Sequence, residues 1–230
     1  PISMKKYGYE NLIEECNLKS VKIAKDAASR KNVAVAGSVS TYGYFLKDGL
    51  DNMLPSFNEH LKILSNSGVD LIILEAMSSQ SEIVEALLKC SKNINLPIWL
   101  SISCVFDKNK EIYLGYDDDV KNDKPQIYEN FKESLYKFKK IHTGPILVAH
   151  SNMSVTDEAI KILKDNYNQI IGAYPNRGYF ERPKWKFIDN IQPKDYLDKA
   201  KSWKNNGAQI IGGCCGIGLE EIKAISILKN

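Results

Sequence analysis

Short apolar stretches alternate with amphipathic segments along the whole chain, and this alternation is its dominant pattern. Apolar runs that lack strict every-second-residue alternation are typical of strands buried on both faces of a parallel sheet. On this basis we predict six strands, at residues 33–39, 69–75, 97–104, 145–151, 169–174 and 209–211.

The segments between these strands carry apolar residues at the spacing of one helix face. We predict helices over residues 11–29, 57–67, 81–91, 126–140, 156–166, 193–206 and 219–228. The charged segment 107–123 is predicted to be a surface loop or a short hairpin, and the long aromatic segment 175–192 a functional lid or arm. Regular alternation of helix and strand indicates a parallel α/β fold with right-handed crossovers.

Polar and nucleophilic side chains stand where the predicted strands end, namely Ser38, Glu75, Cys104, His150, Ser151, Asn176, Cys214 and Cys215. A (β/α)₈ barrel carries its site at this end of several strands, whereas an open doubly wound sheet concentrates it at one switch point. We therefore predict a single barrel domain over residues 1–230, although six strands are two fewer than the usual eight.

Charge and composition exclude several classes of function. The 31 basic and 28 acidic residues are interspersed and leave a net charge of only +3, which argues against nucleic-acid or membrane partners. No apolar run approaches membrane-spanning length. Five cysteines without the spacing of a small disulfide framework favour a reducing, cytoplasmic setting.

The run Gly-Gly-Cys-Cys-Gly at residues 212–216 is the most informative motif of the chain. Glycines allow a sharp turn, so the run presents two thiols at the end of a buried strand, where both could bind one metal ion as thiolates. Two other interpretations remain open here. The cysteines could be small buried hydrophobes, or the N–H groups around Gly212 and Gly213 could bind a phosphate.

Four segments, 35–43, 74–75, 173–176 and 207–216, occur in an order that resembles the homocysteine S-methyltransferase family. This family includes the betaine- and S-methylmethionine-dependent enzymes and the homocysteine half of methionine synthase. The resemblance runs over nearly the whole chain and is most specific at the cysteine pair. It implies a (β/α)₈ barrel and a Zn²⁺ ion held by three cysteines, two of which match Cys214 and Cys215.

The chain departs from the family pattern in two places. Where the family has an Asn followed by its first zinc cysteine, this sequence has His150 and Ser151. A serine hydroxyl is a poor zinc ligand, and His150 could replace it only if a bulge turned its side chain into the site. Cys104 is a further candidate. Family members also begin with two more strands, from which we expect this sequence to be an N-terminally truncated fragment.

The resemblance implies transfer of a methyl group from a sulfonium, ammonium or pterin donor to the zinc-activated thiolate of homocysteine, giving methionine. Glu75 would bind the amino group of the substrate and Asn176 would lie beside it, while Tyr42, Tyr179 and Trp185 could form walls for a cationic donor. Homocysteine and the donor are then the expected partners, and the sequence leaves open whether the chain forms a homo-oligomer. The alternatives are a barrel that binds a small molecule without turnover, and a phosphate-ligand enzyme.

Overall fold

The computed structural model of the chain describes residues 1–29, 31–41, 49–116, 126–181, 184–186 and 191–229. Its strands are β1 (Ala36–Ser40), β2 (Leu71–Met77), β3 (Ile98–Ile102), β4 (Cys104–Phe106), β5 (Ile112–Tyr116), β6 (Gln126–Asn130), β7 (Ile146–Asn152), β8 (Ile171–Asn176), β9 (Tyr179–Glu181), β10 (Lys184–Lys186) and β11 (Ala208–Ile211). Six of them form the central sheet in the order β1-β2-β3-β7-β8-β11, and all neighbouring pairs are parallel.

Helices precede, connect and follow the strands of the central sheet. They are α1 (Ile2–Lys6), α2 (Ile13–Ala28), α3 (Gly49–Asn66), α4 (Ser81–Ser91), α5 (Phe131–Phe138), α6 (Met153–Asn166), α7 (Pro193–Asn205) and α8 (Leu219–Ile225). Each successive strand of the sheet lies beside its predecessor, which is the strand order of a (β/α)₈ barrel. The structure therefore confirms the predicted α/β fold, with six barrel strands among the described residues.

Burial on both faces explains why the sheet strands are continuous apolar runs in the sequence. Leu74, Leu100, Ile146 and Val148 are fully buried, because the helices cover the sheet on one side and the strands' own side chains fill the other. Phe131, Phe138 and Trp203 seal the helical layer and are also almost completely buried. Within the described residues, no helix combines the length and the apolar character that crossing a membrane requires.

One helix prediction is wrong in its first turn and a half. Residues 126–130 are not helical but form β6, which pairs antiparallel with β5. The Asn130 side chain accepts hydrogen bonds from the backbone N–H groups of Lys132 and Glu133, at 3.0 and 3.3 Å, and so starts α5 at Phe131. An N-cap asparagine of this kind overrides the apolar periodicity that precedes it.

The two irregular segments are partly hairpins. The hairpin interpretation of segment 107–123 is confirmed in its first half, where β4 and β5 pair antiparallel; residues 117–125 lie outside the described part. In the predicted arm 175–192, β9 and β10 form a second antiparallel pair.

Helix α3 begins at Gly49, eight residues before the predicted start, because Pro55 is accommodated within the helix rather than at its beginning.

Helix α7 is fastened to helix α6 by a buried polar contact. The indole Nε1–H of Trp203, a side chain only 1% exposed, donates to Oδ1 of Asp157 at 2.7 Å. Lys199 donates to Oδ2 of the same carboxylate. The carboxylate therefore satisfies a buried donor that has no access to water.

Removing this carboxylate should destabilise the fold. We expect Asp157→Ala to lower the free energy of unfolding by about 1–3 kcal/mol, because it leaves the Trp203 N–H buried without an acceptor. The matched control is Asp198→Ala, which breaks an exposed ion pair with Lys201 on the same helix and should cost less than about 0.5 kcal/mol. Urea denaturation measures both, and equal effects would contradict the assignment.

Candidate metal centre

The cysteine pair is held in place by backbone hydrogen bonds to the end of strand β8. The N–H of Gly212 donates to the carbonyl of Ala173 at 2.9 Å, and the N–H of Cys214 donates to the carbonyl of Pro175 at 3.0 Å. The N–H of Arg177 returns to the carbonyl of Cys215 at 2.7 Å. The segment after β11 thus continues along β8 in a non-regular form and fixes both thiols at the carboxyl edge of the sheet.

The same hydrogen bonds weigh against a phosphate site on this run. A phosphate loop needs N–H groups that point into open space. Here the N–H groups of Gly212 and Cys214 already donate to protein carbonyls. These two N–H groups are therefore not available to a phosphate.

Two positions of the motif require glycine for different steric reasons. A Cβ atom at Gly213 would lie 2.2 Å from Cγ2 of Ile217, so only glycine fits where the chain folds back on itself. Gly216 has a φ of +80°, a left-handed conformation that glycine adopts without steric cost. Together they bend the chain sharply around the cysteines before α8 begins.

His150 reaches the cysteines through a bulge in strand β7. Regular alternation would direct its side chain away from the site, but the residue has a φ of +46° and the pairing of β7 with β8 shifts between Ala149 and Asn152. Such a bulge reverses the direction of one side chain. As a result, the ligand atoms of His150, Cys214 and Cys215 all lie within 4.8 Å of one another.

The donor set fits a zinc ion. Zinc is bound in proteins by cysteine sulfur and histidine nitrogen, and catalytic sites use three protein ligands with a fourth position left for substrate. Two sulfurs at about 2.3 Å from a tetrahedral zinc would be about 3.8 Å apart. The Sγ atoms of Cys214 and Cys215 are separated by 3.8 Å. The pair therefore already has the spacing that a shared metal ion demands.

Electrostatics at the pair favour a thiolate. The Cys215 thiol and the His150 ring lower the pKa of the Cys214 thiol below its usual value, outweighing the opposing effect of burial. A low thiol pKa suits metal binding, because the thiolate is the form that coordinates. By contrast, complete burial raises the pKa of the Cys104 thiol, and this residue is not part of the three-residue cluster that the described residues form.

Glu75 lies in strand β2, and two hydroxyl groups converge on one of its carboxylate oxygens. Oε1 accepts from the Tyr174 hydroxyl at 2.8 Å and from the Ser101 hydroxyl at 3.1 Å, and the two hydroxyl groups are also in contact with each other. Burial raises the pKa of the Glu75 carboxyl, opposed by these two hydrogen bonds; the nearby Cys214 adds to the rise. The carboxylate is therefore oriented and within electrostatic reach of the cysteine pair.

The remaining predicted residues divide between the site and its support. Asn176 is buried, and its Nδ2 lies 3.4 Å from Nδ1 of His150. The Ser151 hydroxyl instead donates to the carbonyl of Ala149 and accepts from the N–H of Cys104, at 2.7 and 2.8 Å. Ser151 therefore braces the bulge through backbone groups.

The predicted aromatic walls are only partly within the described structure. Tyr42 lies outside the described residues, and Tyr179 and Trp185 are assigned to the strands of the β9–β10 hairpin. The proposal that they enclose a cationic donor stays a prediction.

Sequence reasoning missed two groups near the site. Ser101 is a fully buried hydroxyl in the otherwise apolar strand β3, and that interruption was the available signal. The second is the pair of Arg177 and Glu221, whose Nη1 and Oε1 are 3.5 Å apart. Glu221 also accepts from the N–H of Gly218 at 2.9 Å, so it ties α8 to the chain that follows β8. A glutamate in the first turn of a helix gave no sign of burial.

The chain is an α/β barrel protein in which two thiols and an imidazole converge at the carboxyl ends of the strands and form a candidate metal site. Within that class, the chain belongs to the homocysteine S-methyltransferase family, whose model matches residues 1–228.

Known relatives share part of the sequence. Homocysteine S-methyltransferase 1 of Zea mays is 28% identical over 219 residues, which are 85% of this chain and 62% of that protein. Selenocysteine methyltransferase of Astragalus bisulcatus is 26% identical over 85% of this chain and 59% of its own length. The chain thus spans about three fifths of these two relatives.

The solved structures include the metallated form of the homocysteine methyltransferase MmuM from Escherichia coli. It superposes with a TM-score of 0.70 at 19% identity, covering 100% of this chain and 76% of that one. Its oxidised form gives the same TM-score at 18% identity. These likenesses establish the fold of the present chain.

The close packing of residues 212–216, the cysteine loop, against Ile217 leads to a prediction about stability. We expect Gly213→Ala to lower the free energy of unfolding by about 1–3 kcal/mol, because its Cβ would collide with Ile217. Gly212→Ala is the matched control, since a Cβ there meets only Cβ of Tyr174, at 3.4 Å. Thermal or urea unfolding of the metal-free protein compares them. A Gly213 variant as stable as the Gly212 variant would show that the loop is not packed as described.

Proposed function

We propose that this protein binds Zn²⁺ through Cys214, Cys215 and His150 and transfers a methyl group from a donor to the thiol of homocysteine, giving methionine. The observation that carries the proposal is the cluster of two sulfurs and one imidazole within 4.8 Å, at the carboxyl edge of the sheet. Membership of the family and the fold shared with a metallated homocysteine methyltransferase support it. The expected setting is the cytoplasm.

The chemistry requires an ionised sulfur. A free thiol with a pKa of about 8.5 is mostly protonated at neutral pH and is then a weak nucleophile. Zinc, when bound, supplies a Lewis acid that lowers the pKa of a thiol at its open position. The protein's own part is to hold two thiolates and an imidazole ready for the ion and to leave the fourth position to substrate.

Glu75 serves the other end of the substrate. Its carboxylate would pair with the ammonium group of homocysteine, and the hydroxyls of Tyr174 and Ser101 hold Oε1 so that Oε2 remains for the ligand. Asn176, two residues after Tyr174 in strand β8, contacts His150. The methyl carbon would then form its bond to the substrate sulfur as its bond to the donor breaks, with the bonding electrons leaving on the donor sulfur or nitrogen.

Metal-dependent methyl transfer is the test of this function. We expect purified protein to carry about one zinc per chain and to form methionine from homocysteine with a sulfonium, ammonium or pterin donor. Cys214→Ala, Cys215→Ala and His150→Ala should each lower zinc affinity more than about tenfold, measured by competition with a chromophoric chelator. Protein that binds no zinc under reducing conditions would overturn the proposal.

Two variants serve as matched controls for that measurement. Cys104→Ala removes a buried thiol outside the cluster and should leave zinc affinity unchanged. Ser151→Cys places a thiol where the family resemblance expects the first zinc cysteine. With His150 already in the site, it should not raise affinity. A large gain in affinity for Ser151→Cys that persists in a His150→Ala background would show that His150 is not needed as the third ligand.

A barrel that binds zinc and homocysteine without turnover is the second candidate. The observation that favours it is Ser151, a serine at the position where the family resemblance places a zinc cysteine. Binding of homocysteine to the zinc-loaded protein, without methionine formation from any of the three donor classes, would select this alternative.

The role of Glu75 makes a separate prediction about substrate binding. Glu75→Gln should raise the KM for homocysteine, or its Kd, by at least about tenfold, because it removes the charge that pairs with the ammonium group. Zinc content should stay at the wild-type level. Tyr174→Phe keeps the carboxylate but removes one of its two hydroxyl partners and should raise the KM less. Homocysteine binding that is indifferent to Glu75→Gln would contradict the assignment.

A further inference from the structure

The contact between Asn176 and His150 bears on which ring nitrogen can bind a metal. Asn176 ends strand β8 and pairs in register with Asn152 at the end of strand β7, across the bulge that carries His150. Its side-chain amide reaches Nδ1 of the imidazole at 3.4 Å. The side chain is only 8% exposed, so solvent contributes little to its hydrogen bonding.

The amide also has a polar atom that lacks a hydrogen-bond partner. Oδ1 of Asn176 is buried and has no hydrogen-bond partner among the described residues. The 3.4 Å contact with Nδ1 of His150 fits either end of the amide, because the tautomer of the ring decides whether that nitrogen accepts or donates. The two ends of a carboxamide have nearly the same shape, so a half-turn about the Cβ–Cγ bond exchanges them with little movement of neighbours. That half-turn brings Oδ1 to Nδ1 of His150.

The tautomer of the ring decides which nitrogen coordinates. A neutral imidazole carries one proton, and only the nitrogen without it has a lone pair for a metal. An acceptor at Nδ1 fixes the proton there and leaves the lone pair on Nε2, which is the usual arrangement of histidine ligands with an oriented outer partner. A donor at Nδ1 would do the opposite.

We propose that Asn176 is a positioning residue: its side-chain carbonyl accepts the Nδ1–H of His150 and holds the ring in the tautomer that offers Nε2 to the metal. This rests on the proposed zinc site. It assigns Asn176 to the imidazole, whereas the sequence suggested a role in substrate binding. It also identifies Asn176 as the hydrogen-bond partner of His150, the ligand that takes the place of the expected cysteine in this chain.

Histidine tautomers can be read directly by ¹⁵N NMR of imidazole-labelled protein. At a pH about two units above the usual histidine pKa of about 6.5, we expect the His150 resonance, assigned with His150→Ala, to report a proton on Nδ1 with or without zinc. Asn176→Asp should preserve this tautomer, because a carboxylate accepts the same hydrogen bond. Asn176→Ala should release it. A proton on Nε2 in the wild-type protein would overturn the proposal.

Zinc affinity supplies the second readout. Asn176→Ala should weaken zinc binding by about 10- to 100-fold, and Asn176→Asp should restore or exceed the wild-type affinity. In a His150→Ala background, Asn176→Ala should have no further effect, because the two residues act through one contact. An equal loss in both backgrounds would show that Asn176 acts on the site without His150, which contradicts the proposal.

These measurements separate the two levels of inference. If the wild-type protein binds no zinc, the proposed function fails, and the tautomer measurement on the metal-free protein still decides the role of Asn176. If zinc binds but neither the tautomer nor the affinity responds to Asn176→Ala, the proposed function stands and the positioning role fails.

Discussion

The bulge in strand β7 is the constraint on which the rest of the site depends. A non-glycine residue with a φ of +46° costs on the order of 1–3 kcal/mol and persists only when its surroundings determine it. Here the Ser103 hydroxyl donates to the carbonyl of His150 at 2.7 Å, and the Ser151 hydroxyl bridges the backbone of β7 and β4. Without this distortion, strand alternation would turn the imidazole away from the cysteines.

Strand β2 shows the same distortion beside the other polar group of the site. Ala76, directly after Glu75, has a φ of +51°, and the pairing of β2 with β3 shifts between Leu74 and Met77. Its N–H donates to the hydroxyl of Ser101 at 3.3 Å, so the irregular backbone is tied to the group that also holds the carboxylate. His150 and Glu75 thus both lie where the regular pairing of two strands is interrupted. Bulges commonly redirect functional residues at such places.

The limits of sequence reasoning follow from the same irregularities. The order of the elements and the importance of Cys214 and Cys215 could be predicted, because buried strands and glycine-bounded thiols leave local patterns. The direction of His150 could not, since it depends on a bulge that the hydroxyls of Ser103 and Ser151 stabilise. Ser101 leaves a local signal, a hydroxyl within an apolar strand, but its partners Glu75 and Tyr174 lie on other strands and cannot be identified from that signal. The strand at 126–130 was missed because pairing with β5 outweighed its helical spacing.

Strand β8 joins the cluster of His150, Cys214 and Cys215 to Glu75. Tyr174 and Asn176 are two residues apart and point to the same face, where one hydrogen-bonds Glu75 and the other contacts His150. Between them, Pro175 has no N–H to give to the sheet, and its carbonyl accepts from the N–H of Cys214. One short segment therefore touches the carboxylate, the imidazole and the cysteine loop. A displacement of this strand would disturb all three together, so the position of the cysteine cluster relative to Glu75 depends on a single element.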